Sequence, residues 1–237
     1  MKPHQRISAY AIAFTTTILF SIWTFINGLI QNYPAWFTDE NNQKYNALGI
    51  ILLGIISVGV YRIFLTSVEM LMRNSKRIKK MILSSYYMEG TWVGFYIGVA
   101  GKVRYMIETY EQTMDDMVIK GISFDENKNL HTFWTSESYN INAESGELIF
   151  QYKVKSTHEQ TDPNGIAYFN LNRNNNKKST NFIVGYSVDS HLGKKCRAIE
   201  MKLSDSTQYD LKETLCKAIQ FHEEYKDYVF EYKKKEQ

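Results

Sequence analysis

The chain has 237 residues, of which 44% are apolar, 22% are charged and 14% are aromatic. This composition excludes a disordered chain, and a count of two cysteines excludes a disulfide-stapled scaffold. The charge is uneven, because residues 1–85 carry nine Lys/Arg against three Asp/Glu, whereas residues 86–237 carry nineteen against twenty-two. The larger part of the chain is therefore mildly acidic, which argues against DNA or RNA as its ligand.

Two apolar segments occupy the first third of the chain. Residues 7–30 run for 24 positions without a charged side chain. As a helix they span about 36 Å, which is enough to cross a bilayer. A second charge-free run covers residues 45–61 and continues apolar past Arg62 to Val68. Two such runs so close together predict a transmembrane helical hairpin over 1–72 rather than a cleaved signal peptide.

Basic residues flank this hairpin unequally. The connecting segment 31–46 holds a single Lys44, whereas six Lys/Arg lie between positions 62 and 80. The positive-inside rule then predicts that both chain termini are cytoplasmic and that the short connection is outside. The basic stretch 73–85 is predicted to form a juxtamembrane helix that contacts anionic membrane lipid.

From residue 86 the apolar period changes from helical to alternating. Extended segments separated by short turns are predicted at 90–99, 102–112, 117–125, 129–139, 146–157, 166–173, 180–189 and 195–203. Short connections at regular spacing indicate sequential antiparallel pairing, and eight such strands can close into a small up-and-down barrel. The sequence therefore predicts an eight-stranded, lipocalin-like antiparallel barrel over 86–204. An amphipathic helix within 205–237 is predicted to pack on the barrel wall or to close one end.

Alternation along the strands predicts which side chains face the barrel interior. On the fifth strand the apolar set includes Tyr152, and on the sixth it includes Phe169. On the eighth strand the same argument selects Arg197 together with Ile199 and Met201. These alternate sets are the predicted inner face.

Arginine is rare in the strand region, which contains only Arg104, Arg173 and Arg197. Even-numbered strands of an up-and-down barrel run in one direction, so Arg104 and Arg197 are predicted to share one end, and Arg173 the other. The predicted ligand site adds four aromatic residues to the first pair: Trp92, Tyr96, Tyr152 and Tyr186. Guanidinium groups bind phosphate and rings stack on bases, so this set suits a ligand with both. The alternative is that the arginines pair with carboxylates at the rim while the rings fill a core.

The sequence carries no familiar catalytic motif. Its five histidines have no Cys, Asp or His partner at a metal-binding spacing, and it has no phosphate-binding loop, dinucleotide fingerprint or nucleophile elbow. The sequence therefore predicts a binding protein that is not an enzyme and that uses neither metal nor cofactor.

Two N-terminal spans, a basic juxtamembrane helix and a strand-rich domain that opens on residues 90–96 (GTWVGFY) together resemble a known family. The chain is similar to the CBASS anti-phage effectors that join two transmembrane helices to a β-barrel, the SMODS-associated β-strand-rich type. This resemblance covers essentially the whole chain, mainly as architecture. The spacing of Gly90 and Trp92 also resembles the opening of lipocalins and fatty-acid-binding proteins.

The resemblance implies a multi-pass protein of the bacterial inner membrane whose cytosolic barrel binds a cyclic dinucleotide. A partner nucleotidyltransferase would make this messenger, and its binding would drive homo-oligomerisation and membrane disruption. Two alternatives remain open. One is a membrane-tethered lipocalin-like carrier, which needs a roomy apolar interior, and the other is a structural membrane scaffold with a filled barrel.

Overall fold

The computed structural model describes residues 3–32, 42–156, 163–173, 175, 178–190 and 192–228 of the chain. The chain divides into two compact units, Met1–Lys79 and Lys80–Gln237. Most of the predicted connection between the two apolar runs, and the last nine residues of the predicted C-terminal region, lie outside the described residues.

Helices make up the first unit. Helix α1 covers Pro3–Asn32, helix α2 covers Asn42–Asn74, and a short helix α3 follows at Lys76–Leu83. The first two are long and apolar enough to cross a membrane, over Ile7–Gly28 and Gly54–Asn74 respectively. The two apolar runs are therefore helical, as predicted.

Many large apolar side chains of these two long helices are exposed. Phe14 packs against Phe64 across the pair, with ring centroids 5.2 Å apart. Other large side chains point outward, and Phe20 is 70% exposed. The Thr17 and Ser21 hydroxyls donate to carbonyls one turn earlier in the same helix. Backbone-satisfied hydroxyls among exposed apolar side chains are what a helix in hydrocarbon requires.

A closed antiparallel barrel forms the second unit, as predicted. After a short 3-10 turn at Ser84–Tyr86, each strand pairs with its neighbours in sequence, and β1 pairs with β8 to close the barrel. The strands are β1 (Gly90–Ile97), β2 (Val103–Gln112), β3 (Met117–Phe124), β4 (Leu130–Asn142), β5 (Glu147–Ser156), β6 (Asn164–Asn172), β7 (Phe182–Asp189) and β8 (Lys195–Ser204). These bounds agree with the predicted segments to within three residues at each end.

Helix α4, Leu211–Tyr225, packs on the outer wall of the barrel against β1 and β2. Asp210 begins it as the N-cap residue, because its carboxylate accepts a hydrogen bond of 2.8 Å from the backbone N–H of Glu213. Of the two predicted positions for this helix, the barrel wall is therefore the observed one.

The barrel consequently has an apolar layer on each side of one wall. Trp92 and Leu148 belong to the interior core, whereas Val93 and Phe95 on the same strand as Trp92 pack outward beneath Phe221 of α4. Strand β1 is thus buried on both faces along most of its length.

The inner face predicted for β8 is wrong. Cys196, Ala198 and Glu200 line the interior, so Arg197 and Ile199 between them point outward. Helix α4 is the physical reason, because it covers the outside of this wall and makes apolar side chains favourable there. On β5 and β6, by contrast, the predicted inward sets that contain Tyr152 and Phe169 are confirmed.

Candidate functional site

A cavity of about 380 Å³ opens at the end of the barrel where β1 ends and β2 begins. Its mouth carries the charged residues Lys102, Arg104 and Asp189 among apolar ones such as Val99 and Leu192. Five aromatic side chains form much of its wall: Tyr96, Trp134, Phe150, Tyr152 and Phe169. Glu108 and Glu200 lie at its inner end. The cavity therefore changes from charged, through aromatic, to acidic along its depth.

Two glycines make room for the aromatic wall. A Cβ atom at Gly121 would collide with the indole of Trp134, and one at Gly165 would collide with the phenol ring of Tyr152. Both rings lie over a cross-strand neighbour, since Gly121 pairs with Trp134 and Gly165 with Tyr152 in the sheet register. Any side chain at either glycine would force its ring to move.

Hydrogen bonds orient the two tyrosines of the cavity. The Tyr152 hydroxyl donates to Asp189 Oδ1 at 2.7 Å, and the Tyr96 hydroxyl lies 3.3 Å from that of Ser123. Burial, reinforced by the negative charge of Asp189, raises the pKa of Tyr152, so its phenol stays protonated and remains a donor. Arg104 donates to the Val103 carbonyl at 3.1 Å.

An acidic pair occupies the inner end. Glu108 is 3% and Glu200 1% exposed. Trp134 Nε1 donates to Glu108 Oε1 at 2.7 Å, and the Tyr110 hydroxyl donates to Glu200 Oε2 at 3.2 Å. Each carboxyl thus receives one protein donor through one of its two oxygens.

The two carboxyl groups lie close enough for each to affect the pKa of the other. Burial raises the pKa of Glu108, and burial together with the neighbouring charge of Glu108 raises that of Glu200 well above its usual range. A Cβ atom at Gly94 would collide with the backbone carbonyl oxygen of Ile199 and would also lie 2.8 Å from Glu200 Cγ, so this glycine allows the close approach of β8 to β1.

Trp92 belongs to the closed end of the barrel and not to the cavity. Its side chain is fully buried, its Nε1 donates to the Met88 carbonyl at 2.9 Å, and its ring centroid lies 5.2 Å from that of Tyr110. The prediction that Trp92 contacts ligand therefore does not agree with its position. It is a core residue beneath the acidic pair.

Arg197 and Tyr186 lie on the outer wall. Together with Tyr168 they line a shallow groove of about 250 Å³ on the outside of the barrel. The Tyr168 and Tyr186 rings stack at 5.2 Å, and Lys195 Nζ lies 4.1 Å above the Tyr186 ring. Both predicted ligand residues thus lie on the outer face and not in the cavity, and for Arg197 the reason is that the predicted inner face of β8 was inverted.

The predicted placement of the arginines along the barrel axis is confirmed. Tyr96 pairs with Arg104 on β2 and with Ala198, next to Arg197, on β8, so both arginines lie at the same end. Arg173 lies at the opposite end, where it donates to the carbonyl of Ser85. Of the six predicted site residues, three line the cavity together: Tyr96, Arg104 and Tyr152.

The sequence interpretation missed Trp134, Glu108 and Glu200. Glu108 carries a recognisable signal, because it is an acid at an interior position of an alternating strand, between Met106 and Tyr110. For Glu200 the sequence offers no such signal unless the position of α4 is known. Its apolar neighbours Ile199 and Met201 pack on the outside of the wall, so the alternation there assigns Glu200 to solvent.

No protein-family model matches the chain, and no curated protein shows significant similarity to it. Among the described residues, no group of three or more His, Cys, Asp and Glu side chains could hold a metal ion. The residues that line the cavity are therefore the basis for any functional conclusion.

Proposed function

We propose that the chain is a membrane-anchored receptor whose barrel binds a nucleotide second messenger in the cavity. The observation that carries this proposal is the order of chemistry along the cavity, from Lys102 and Arg104 at the mouth to Glu108 at the inner end. Lysine and arginine bind phosphate, aromatic rings stack on bases, and carboxyl groups accept hydrogen bonds from base edges. A nucleotide carries the same groups in the same order.

The volume of the cavity supports entry of one base. About 380 Å³ is near the lower end of the range of about 300–1,000 Å³ that ligand pockets span. One base with its sugar fills such a space, while the phosphates stay at the mouth beside Arg104. A cyclic dinucleotide would then insert one base and leave its second base at the rim.

The wider proposal is the effector role that the architecture resembles. In it, helices α1 and α2 cross the bacterial inner membrane twice, both termini are cytoplasmic, and a partner nucleotidyltransferase supplies a cyclic dinucleotide. Two helices alone cannot line a wide channel, so damage to the membrane requires a homo-oligomer. The ligand must then favour the assembled state, because a ligand with equal affinity for both states shifts nothing.

The cavity disfavours the two alternatives. An apolar ligand would fill the cavity without offering hydrogen-bond donors to Glu108 and Glu200, whose buried oxygens would stay unsatisfied. A scaffold barrel is expected to have a filled interior, whereas this barrel contains a cavity of about 380 Å³ that ends in a carboxyl pair.

Calorimetric titration of the full-length chain in lipid nanodiscs tests the proposal. We expect saturable, one-site binding of a cyclic dinucleotide and none of a fatty acid. Co-expression with the partner cyclase should then depolarise the inner membrane, and crosslinking should show larger species only with ligand. Tight binding with an unchanged oligomer distribution and membrane potential would contradict the effector role while leaving the receptor role intact.

A further inference from the structure

Folding alone does not account for the acidic pair. Two carboxyl groups that lose their hydration inside a barrel destabilise it, and apolar side chains of similar volume would serve a core equally well. Even so, Trp134 and Tyr110 each donate to one of the acids. This arrangement holds the pair in place at the end of an open cavity.

The pair presents hydrogen-bond acceptors. Glu108 Oε2 and Glu200 Oε1 are buried and have no hydrogen-bond partner among the described residues. Because Glu108 and Glu200 line the cavity, the pair has carboxyl lone pairs there that no described protein group satisfies. A ligand group with several N–H donors would satisfy them.

We propose that Glu108 and Glu200 determine base specificity and select guanine as the base that enters the cavity. This inference rests on the proposed function, since it names the base of the nucleotide that the cavity binds. The Watson–Crick edge of guanine offers two adjacent N–H donors, from N1 and the N2 amino group. Adenine sets one amino group beside an acceptor nitrogen, and uracil sets one N–H between two carbonyls. Both would bring acceptor atoms against the carboxyl lone pairs.

Trp134 has a supporting role as a positioning residue. Its Nε1–H fixes Glu108, and its ring, which lies over Gly121, forms part of the wall that a planar base would stack against. The cations Lys102 and Arg104 stay at the mouth, so base recognition and phosphate binding use different ends of the same cavity.

The test compares four ligands on the full-length chain in lipid nanodiscs by calorimetry: cyclic di-GMP, cyclic di-IMP, cyclic di-AMP and cyclic di-UMP. Hypoxanthine, the base of cyclic di-IMP, differs from guanine only in lacking the N2 amino group. We expect cyclic di-GMP to bind about ten- to a hundred-fold more tightly than cyclic di-IMP, the value of one hydrogen bond to a charged group. Cyclic di-AMP and cyclic di-UMP should bind more weakly still.

Glu108→Gln and Glu200→Gln sharpen the test, because an amide keeps the shape of the side chain but turns donors toward the ligand. Each should reduce the preference for cyclic di-GMP over cyclic di-IMP at least about tenfold. Glu137→Gln, at an exposed position, is the matched control and should leave the preference unchanged. If either cavity variant fails to melt cooperatively, the inosine comparison on the unaltered chain decides.

The outcomes separate the two proposals. Equal affinity for cyclic di-GMP, cyclic di-IMP and cyclic di-AMP would overturn guanine selection and leave the nucleotide receptor standing. A cavity variant that folds and keeps the full guanine preference would also overturn it. Failure of all four ligands to bind would overturn the proposed function itself, and guanine selection with it.

Discussion

The barrel has two kinds of wall, and they differ in what lies outside them. Around β1, β2 and β8 the outer face is covered by α4, so that Phe95 outside the barrel is as completely buried as Trp92 inside it. Around β5 and β6 the outer face meets water, and polar side chains such as Lys153 and Asn170 alternate there with buried ones. An apolar alternation therefore marks the interior only where the other face is solvated.

This difference explains why the alternation pattern does not identify Glu200 as an interior residue. On β6 the polar side chains are the outward ones, as alternation predicts. On β8 the apolar Ile199 and Met201 face α4, and the polar Glu200 between them faces the interior at 1% exposure. A carboxyl group that the pattern assigns to solvent is thus among the most buried groups in the chain.

The largest predicted effect on stability is the difference between two aromatic residues of the outer face, one covered by α4 and one exposed to solvent. Phe95→Ala removes a fully buried ring beneath α4 and should destabilise residues 80–237 by about 3–5 kcal/mol in urea unfolding. Tyr168→Ala, at 36% exposure on the bare part of the wall, should cost less than about 1 kcal/mol. Equal losses from the two variants would show that α4 does not protect its wall in solution.

Ligand affinity gives the next largest effect. Arg104→Ala removes a cation from the cavity mouth and should weaken cyclic dinucleotide binding about ten- to a hundred-fold. Arg197→Ala, at the same end but on the outer face, is the matched control and should change the Kd by less than about threefold. Calorimetry on the full-length chain measures both. A larger effect at Arg197 than at Arg104 would indicate that the ligand binds in the outer groove.

The sequence allowed the strands, their order and the closure of the barrel to be predicted, because turns and alternation are local signals. The shared end of Arg104 and Arg197 was predictable as well, because strand direction follows from strand order. The face on which Arg197 lies was not, since it depends on where α4 packs. Trp134 was missed because its contact with Glu108 is made across strands, from β4 to β2, and spacing along one strand does not report it. Glu108 was missed although its interior position on an alternating strand marks it.

Stability should depend on pH through the acidic pair. The folded-state pKa of Glu200 is raised above its ordinary value of 4.5, so the folded chain binds more protons than the unfolded chain above that pH. Stability is therefore full below about pH 4.5 and falls as the pH rises toward the folded-state pKa, by at most about 1.4 kcal/mol per pH unit for one such group. Urea unfolding between about pH 5 and 7.5 measures this loss.

Glu200→Gln isolates the contribution of the pair. The variant cannot ionise at position 200, so its stability should change less with pH than that of the unaltered chain. His222 acts in the opposite direction, because burial lowers its pKa and its folded form gains stability as the pH rises. Since His222 is present in both proteins, the difference between the two pH profiles removes its contribution. Parallel profiles would mean that the pKa of Glu200 is not raised in the folded chain.

The smallest effect expected lies at the start of α4, the element that makes the two walls different. Asp210→Ala removes the acceptor for the Glu213 N–H, and the loss of such a cap should cost about 1 kcal/mol in urea unfolding of residues 80–237. Asp210→Asn keeps an acceptor at the cap and should cost less than half of that, because asparagine caps helices about as well as aspartate.

Lys217→Ala separates the cap from ordinary surface electrostatics on the same helix. Lys217 pairs with Glu213 at 2.6 Å one turn along α4, but both side chains are exposed, so this pair should contribute no more than about 0.5 kcal/mol. If Asp210→Ala costs no more than Lys217→Ala, the first turn of α4 contributes little to folding. Cover of the β1–β2 wall would then depend on its later turns, where Ala218 and Phe221 are buried against the strands.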